Sequence, residues 1–422
     1  MWSGRDPAPF LSLMMHADQM RDVALQAPQA VAGTGRTGRA ELPGSALLKP
    51  VRSACGPGRR GGPVTSAATA IQEEIDLPAV RERVDAVLQD FLDGKIRSAG
   101  GRNLPPDVVD TLRSFLTAGG KRIRALLCVV GWHAAGGRGD TESAVRVAAS
   151  LELFVAFALI HDDIMDDSVS RRGRPAVHRA LRTRLVPSQR AERLGAGGAL
   201  LVGNLALIWA QELLHTAQLS CERRQAVHAL YDAMLEEVMY GQYLDVMGTG
   251  RDADDVEAAL RIVRYKTATA TVERPLQLGA AVAGAGAEVL DRFTDLGLPL
   301  DEAFQLRDDL LDVFGSTDGA CAAGLGDLRE GKRTVLLALG MQMAGPEQRQ
   351  RLGDLVGRSD LDERGAGEVR TILESTGARE RTEAMITARY DHVVQALETA
   401  AFPPAAYRAL HGLAVAAVSY SS

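Results

Sequence analysis

From Asp76 onward, apolar residues recur at the spacing of a single helix face: Val80, Val84, Val87, Leu88 and Phe91 make one continuous stripe. Asp76 is placed to cap this helix, and Pro78 suits its first turn, where the missing N–H has no partner to lose. Similar runs continue to the C-terminus. They break at Gly119-Gly120, Gly136-Gly137, Arg171 to Pro175, Pro187, Gly248 to Gly250, Gly315 to Gly326 and Pro403-Pro404. The alternation of a half-buried strand is nearly absent, and no solenoid-type repeat is visible. The pattern predicts one all-α bundle over residues 71–422. Residues 1–70 differ in kind, rich in Gly, Pro, Ala and Arg without periodicity, and predict a disordered extension. That stretch lacks the continuous apolar core of a secretory signal.

Two acidic runs cut across this apolar background. Asp162, Asp163 and Asp166 lie in Leu-Ile-His-Asp-Asp-Ile-Met-Asp-Asp, and Asp308, Asp309 and Asp312 in Phe-Gln-Leu-Arg-Asp-Asp-Leu-Leu-Asp. Carboxylates four residues apart share a helix face and repel, and apolar flanks raise the cost of ionising them. Positive charge is therefore expected between them. Hard divalent cations such as Mg²⁺ take one or two carboxylates each and fill their shell with water and phosphate oxygens.

Composition narrows the field. The chain has 422 residues, 46% of them hydrophobic, enough for a large core. A formal net charge of −6 gives no footprint for wrapping nucleic acid. The longest apolar stretches, Gly198 to Ala210 and Leu278 to Val289, are Gly/Ala-rich and short for a bilayer crossing, so no integral membrane segment is expected. Cys55, Cys128, Cys221 and Cys321 follow neither disulfide nor zinc spacing; they read as packing residues of a cytoplasmic protein.

Only five of the 48 basic residues are lysine, and three of those occupy distinctive settings. These are Gly119-Gly120-Lys121-Arg122-Ile123-Arg124, Tyr265-Lys266-Thr267 and Glu330-Gly331-Lys332-Arg333-Thr334. A lysine brings a compact charge where arginine imposes a planar fork, and a glycine before it can open a helix N-terminus to an anion. Arg171-Arg172-Gly173 follows the first acidic run and offers two guanidinium forks of the kind that suit diphosphate oxygens.

In this order the motifs resemble the trans-isoprenyl diphosphate synthases, the polyprenyl synthetase family. The series runs through Gly-Gly-Lys-Arg-Ile-Arg, Asp-Asp-Ile-Met-Asp with Arg-Arg-Gly-Arg-Pro, Gly241-Gln242, Lys266-Thr267, Phe304-Gln305 with Asp-Asp-Leu-Leu-Asp, and Asp327 with Gly331-Lys332. The resemblance spans roughly Ile75 to Ala416. It implies a single isoprenoid-synthase-like helical bundle whose central cavity holds an allylic diphosphate and isopentenyl diphosphate, with about three Mg²⁺ bridging the acidic clusters. Carried over by position, Asp162, Asp166, Asp308 and Asp312 are metal ligands, with Asp163 and Asp309 shaping the shell. Arg171, Lys266, Thr267, Gln305 and Lys332 hold the allylic diphosphate, and Gly120, Lys121, Arg124 and Arg172 hold isopentenyl diphosphate. The implied reaction is Mg-dependent head-to-tail condensation by a homodimer with its contact near Gly198 to Leu214 and Arg224 to Met239.

Three positions depart from the family pattern: Val155 stands for a histidine, Ala322 for a basic residue and Asn204 for an acid. His161 is read as a structural histidine. Phe157, five residues before Asp162, lies about 7.5 Å down the helix, with Phe154 nearly a turn deeper. An aromatic floor there limits chain growth and is similar to short-chain synthases making geranylgeranyl diphosphate, with farnesyl diphosphate as the other product. A class I terpene cyclase shares the first acidic motif but not the second, and a non-catalytic subunit of a heteromeric synthase is a further alternative.

Overall fold

The computed structural model describes residues 74–184, 190–248, 254–315 and 325–419. The predicted disordered extension, the break at Pro187, Cys55, Cys321 and the departure at Ala322 lie outside them. The helices are α1 (Leu77–Gly101), α2 (Asp107–Thr117), α3 (Ile123–Ala134), α4 (Glu142–Met165), α5 (Val177–Thr183), α6 (Ala191–His215), α7 (Cys221–Gly248) and α8 (Val256–Ile262). After a π-helical segment, Val263–Glu273, follow α9 (Arg274–Ala283), α10 (Ala287–Phe314), α11 (Gly326–Glu330), α12 (Val335–Met343), α13 (Pro346–Leu355), α14 (Glu363–Ser375), α15 (Ala378–Thr399) and α16 (Pro404–Ser419). Among the described residues the strands are confined to a hairpin of β1 (Ser170–Arg171) and β2 (Arg174–Pro175). The fold is all-α.

Local rules place the first helix as its sequence indicates. Asp76 accepts the Ala79 N–H at 2.9 Å, and Val80, Val84 and Leu88 are buried while Val87 and Phe91 pack at the margin of the core. Helix α4, long and apolar, is buried at every position but Arg146 from Ala144 to Phe157, which makes it the central element. It packs along α6 and α3; α10 lies against α15 and the π segment, which also rests on α7. Where α3 crosses α9 the backbones nearly touch: a Cβ at Gly279 would stand 1.8 Å from the Cys128 carbonyl oxygen.

Two sequence expectations change. Helices α4 and α6 are each long and apolar enough to cross a membrane, longer than the apolar stretches suggested, because interspersed Gly, Ala and Asn do not stop the helix. In α4, 78% of the apolar window is buried in the bundle, which identifies a core helix, against 39% in α6. Cys128 is buried as a packing residue, but Cys221 is exposed at the start of α7. Large apolar side chains face solvent on both α6 and α7: Leu194, Leu201, Ile208, Met239, Tyr240 and Tyr243 are all exposed. Asn204 is also exposed on α6.

Candidate active site

The last turn of α4 carries the first acidic cluster, and its three carboxylates separate by function. Asp163 turns inward, fully buried, and accepts from both Nε and Nη2 of Arg171 at 2.8 and 2.5 Å. Asp162 faces the interior of the bundle, where Lys266 Nζ from the π segment reaches it at 2.9 Å and Gln242 Nε2 from α7 at 3.1 Å. Burial opposes its charge, but Lys266 beside it, with Arg171 and Lys332, holds the carboxyl below its usual range. Asp166, one turn on, has weaker support; burial and the neighbouring Asp162 push it up to about 6.

Arg171 reaches Asp162 and Asp163 because the chain reverses immediately after α4. The hairpin pairs Ser170 with Pro175 and Arg171 with Arg174. Its two loop residues, Arg172 and Gly173, both have positive φ (53° and 70°), as a tight two-residue turn requires. Arg172 thereby points back to the Gly-Gly-Lys segment, donates to the Gly119 carbonyl and lies over the Phe115 ring at 5.8 Å. Gly120 is fitted to this contact, since a Cβ there would meet Arg172 Nη1 at 3.1 Å.

The second cluster sits in the last turns of α10. Asp308 remains open to solvent in the cleft, yet surrounding protein desolvates it and raises its carboxyl to about 6, with Lys121 opposing the shift. Asp309 is buried, accepts from Gln305 Nε2 at 2.9 Å and is pushed up to about 8 by burial; its second oxygen has no hydrogen-bond partner among the described residues. Asp312, also raised to about 6 by burial and by Asp327, accepts the Asp327 N–H at 3.3 Å. Lys332 joins the two acidic helices: its Nζ lies 3.8 Å from Asp166 and 3.1 Å from both Asp327 and Glu330. Burial disfavours its charge, but Asp327, Glu330 and Asp166 raise its proton affinity above the ordinary lysine range.

Of the two glycine–lysine pairs, only one precedes an open helix start. Helix α3 begins at Ile123 without a side-chain cap, after Gly119, Gly120 and Arg122 all at positive φ. Gly331 instead closes α11 as its left-handed cap, and the next helix start is filled by Thr334, whose hydroxyl accepts from Leu337 N–H at 3.2 Å. Lys332 acts through its side chain alone. Arg124, from the same motif as Lys121, reaches across to the π segment and donates to the Ala270 carbonyl at 3.1 Å and the Thr271 hydroxyl at 2.7 Å. Thr267 contributes its carbonyl to Thr271 at 3.0 Å.

The π segment has wider turns than an α-helix, and such segments recur at functional sites. It lies tight against α7: a Cβ at Gly241 would stand 2.1 Å from Lys266 N. Sequence reasoning missed Asp245, which is buried and pairs with Lys266 from one turn beyond Gln242. The available signal was its i+3 spacing from Gln242, which puts both on one face. Glu330, a partner of Lys332, was likewise not nominated, and Asp327, named in the motif series with Gly331-Lys332, was given no role. The two phenylalanines, Phe154 and Phe157, are buried with ring centroids 6.3 Å apart, and Phe157 meets His161 edge-on at 4.7 Å. His161 bonds the Leu200 carbonyl at 3.2 Å, a structural role. Val155 is buried in the core.

The donor set fits hard cations. It consists of carboxylate oxygens, on three groups whose proton affinity is raised chiefly by burial. Among the described residues no three acidic, histidine or cysteine groups converge enough to hold an ion by themselves. Mg²⁺ takes one or two carboxylates and draws its remaining oxygens from phosphate and water.

The chain matches the polyprenyl synthetase family over residues 106–374. It is 31% identical to the short chain isoprenyl diphosphate synthase of Methanothermobacter thermautotrophicus, over 73% of this chain and 88% of that protein. It is also 31% identical to the geranylfarnesyl diphosphate synthase of Aeropyrum pernix, over 58% of this chain and 72% of that one. Among solved structures, the geranylgeranyl pyrophosphate synthase of Corynebacterium glutamicum, complexed with isoprenyl diphosphate and magnesium, superposes with a TM-score of 0.77. That pair shares 36% identity, covering 82% of this chain and 100% of the other.

Proposed function

The chain belongs to the polyprenyl synthetase family of prenyltransferases, and we propose that it condenses isopentenyl diphosphate with an allylic diphosphate to give a short-chain trans-prenyl diphosphate, geranylgeranyl diphosphate foremost. The observation that carries this reading is Lys332, whose ammonium lies between Asp166 of one acidic helix and Asp327 beside Asp312 of the other. Two acidic helices that meet across a cation are arranged to grip one multiply charged anion through positive charge.

Asp162, Asp166, Asp308 and Asp312 hold Mg²⁺ in this reading, which when bound supplies charge neutralisation on diphosphate oxygens. Arg171, Lys266, Gln305 and Lys332 bind the allylic diphosphate. Gly120, Lys121, Arg124 and Arg172 bind isopentenyl diphosphate. Lys266 and Lys332 are held in place by carboxylates before substrate arrives, so little reorganisation is needed when negative charge grows on the leaving oxygens. The allylic carbon–oxygen bond breaks, the isopentenyl double bond forms the new carbon–carbon bond, and one proton is lost to the departing diphosphate. The buried environment around Phe154 and Phe157 keeps water from the allylic cation, and these rings form the floor that sets product length. The exposed apolar side chains of α6 and α7 support a homodimer, and the dispersed cysteines fit a cytoplasmic protein.

Incubating the purified protein with Mg²⁺, isopentenyl diphosphate and dimethylallyl, geranyl or farnesyl diphosphate, followed by chromatography, tests the proposal. A linear twenty-carbon diphosphate is the expected product. Hydrocarbon formed from a single allylic substrate, or no turnover with any primer, refutes it.

A further inference from the structure

Helix α3 starts in a way its sequence does not favour. The residue before a helix is ordinarily short and polar, sits in extended backbone and caps the first turn with its side chain. Here that position belongs to Arg122, whose carbonyl accepts the Leu126 N–H at 2.9 Å and whose backbone is left-handed, with φ 54° and ψ 29°. Gly119 and Gly120 also have positive φ, 98° and 149°, but glycine adopts such angles without a steric penalty, whereas Arg122 carries a Cβ. A residue strained in this way persists only where its surroundings hold it.

The Arg122 side chain supplies that hold. It makes no capping bond to α3 and is 9% exposed, and its fork donates in three directions. Nε reaches Asp85 Oδ1 of α1 at 3.0 Å, Nη1 reaches Glu152 Oε2 of α4 at 2.9 Å, and Nη2 reaches the Leu116 carbonyl in the last turn of α2 at 2.8 Å. A planar guanidinium fixes such directions, which the point charge of an ammonium does not. The two carbonyls upstream are held as well, Gly119 by Arg172 and Gly120 by Arg81 Nη2 of α1 at 3.1 Å. Lys121 therefore lies between two residues, Gly120 and Arg122, whose places are set by other helices. Arg124 leaves the first turn of the helix that Arg122 begins.

We propose that Arg122 is a positioning residue for isopentenyl diphosphate: its anchorage to α1, α2 and α4 holds the left-handed turn that places Lys121 and starts the helix carrying Arg124. This role rests on the reading of Lys121 and Arg124 as the isopentenyl diphosphate subsite. It explains why a long arginine stands where a small capping residue is the ordinary choice. The charge and the fork of Arg122 can be separated. Arg122→Lys keeps a cation beside Glu152, which is itself buried, but loses the three fixed directions.

Steady-state kinetics of the full-length enzyme with Mg²⁺, each diphosphate varied at saturation of the other, supply the test, with Lys121→Ala alongside. For Arg122→Lys the expected outcome is a KM for isopentenyl diphosphate raised about tenfold, with kcat and the allylic KM changed less than about threefold, since a displaced binding group weakens the substrate it serves. A merely structural role lowers the melting temperature and leaves the isopentenyl KM alone. That result, a rise under about threefold, or equal losses in kcat and the allylic KM overturns the assignment. If Lys121→Ala leaves the isopentenyl KM unchanged, the subsite reading itself fails, and the role of Arg122 with it. Should Arg122→Lys not fold, Arg81→Ala releases the Gly120 carbonyl instead: a selective rise of about threefold or more supports the anchored turn, and a smaller one overturns it.

Discussion

At the scale of single residues, the site is a contest between burial and counter-charge. Asp162 has Lys266 within 2.9 Å and is held below the usual carboxylate range, although burial works against it. Asp166, Asp308 and Asp312 have Lys332 or Lys121 nearby, but burial wins and each rises to about 6. An acid with a raised folded-state pKa binds protons more tightly folded than unfolded, so its contribution to metal-free stability falls as pH rises from about 4 to about 6. Above that range the charges are fully formed and demand cations. We expect Mg²⁺ to raise the melting temperature well above pH 6 and to lose this effect progressively below it, as protons take the same oxygens. Thermal scans with and without Mg²⁺ across that interval check this, and an equal Mg²⁺ shift at about pH 5 would contradict it.

At the scale of elements, backbone proximity aims the lysine that serves Asp162. The π segment can approach α7 only because Gly241 has no side chain; a Cβ would lie 2.1 Å from Lys266 N, and backbone cannot yield as a flexible side chain can. Gly241→Ala is expected to cost about 3 kcal/mol or more and to displace Lys266, lowering kcat as well as melting temperature. A variant with unchanged melting temperature and kcat would show that the two elements slide apart without consequence. Helix α4 makes the other test. Phe157→Ala should cost about 3–5 kcal/mol from lost packing against its aromatic neighbours. It should also lengthen the product by at least one five-carbon unit, read by chromatography after dephosphorylation. An unaltered product profile removes Phe157 from the floor.

At the scale of the whole molecule, the buried and exposed faces of the two long apolar helices diverge. Helix α4 is enclosed, whereas α6 presents Leu201 and Ile208 at 65% and 58% exposure, and Tyr240 and Tyr243 of α7 are exposed as well. Exposed apolar side chains of this size mark an interaction site, and a second copy of the chain fits the symmetric contact proposed above. Leu201→Glu with Ile208→Glu should convert a dimer to a monomer in size-exclusion chromatography with light scattering, at little cost to the isolated chain because both side chains already face outward. A mass unchanged from the wild-type dimer rejects this face as the contact.

Much of this organisation is local and was therefore legible in the chain. The 3.6-residue period set the helices from Asp76 onward, and acids at i and i+4 marked Asp162 with Asp166 and Asp308 with Asp312. Spacing along one helix cannot say which carboxylate turns inward, so the burial of Asp163 against Arg171 and of Asp309 against Gln305 emerged only on folding. The same holds for Asp245 beside Lys266 and Asp327 beside Lys332. Sequence periodicity encodes the face a residue occupies, whereas an ion pair depends on which other element is packed against that face, and only the tertiary structure decides that.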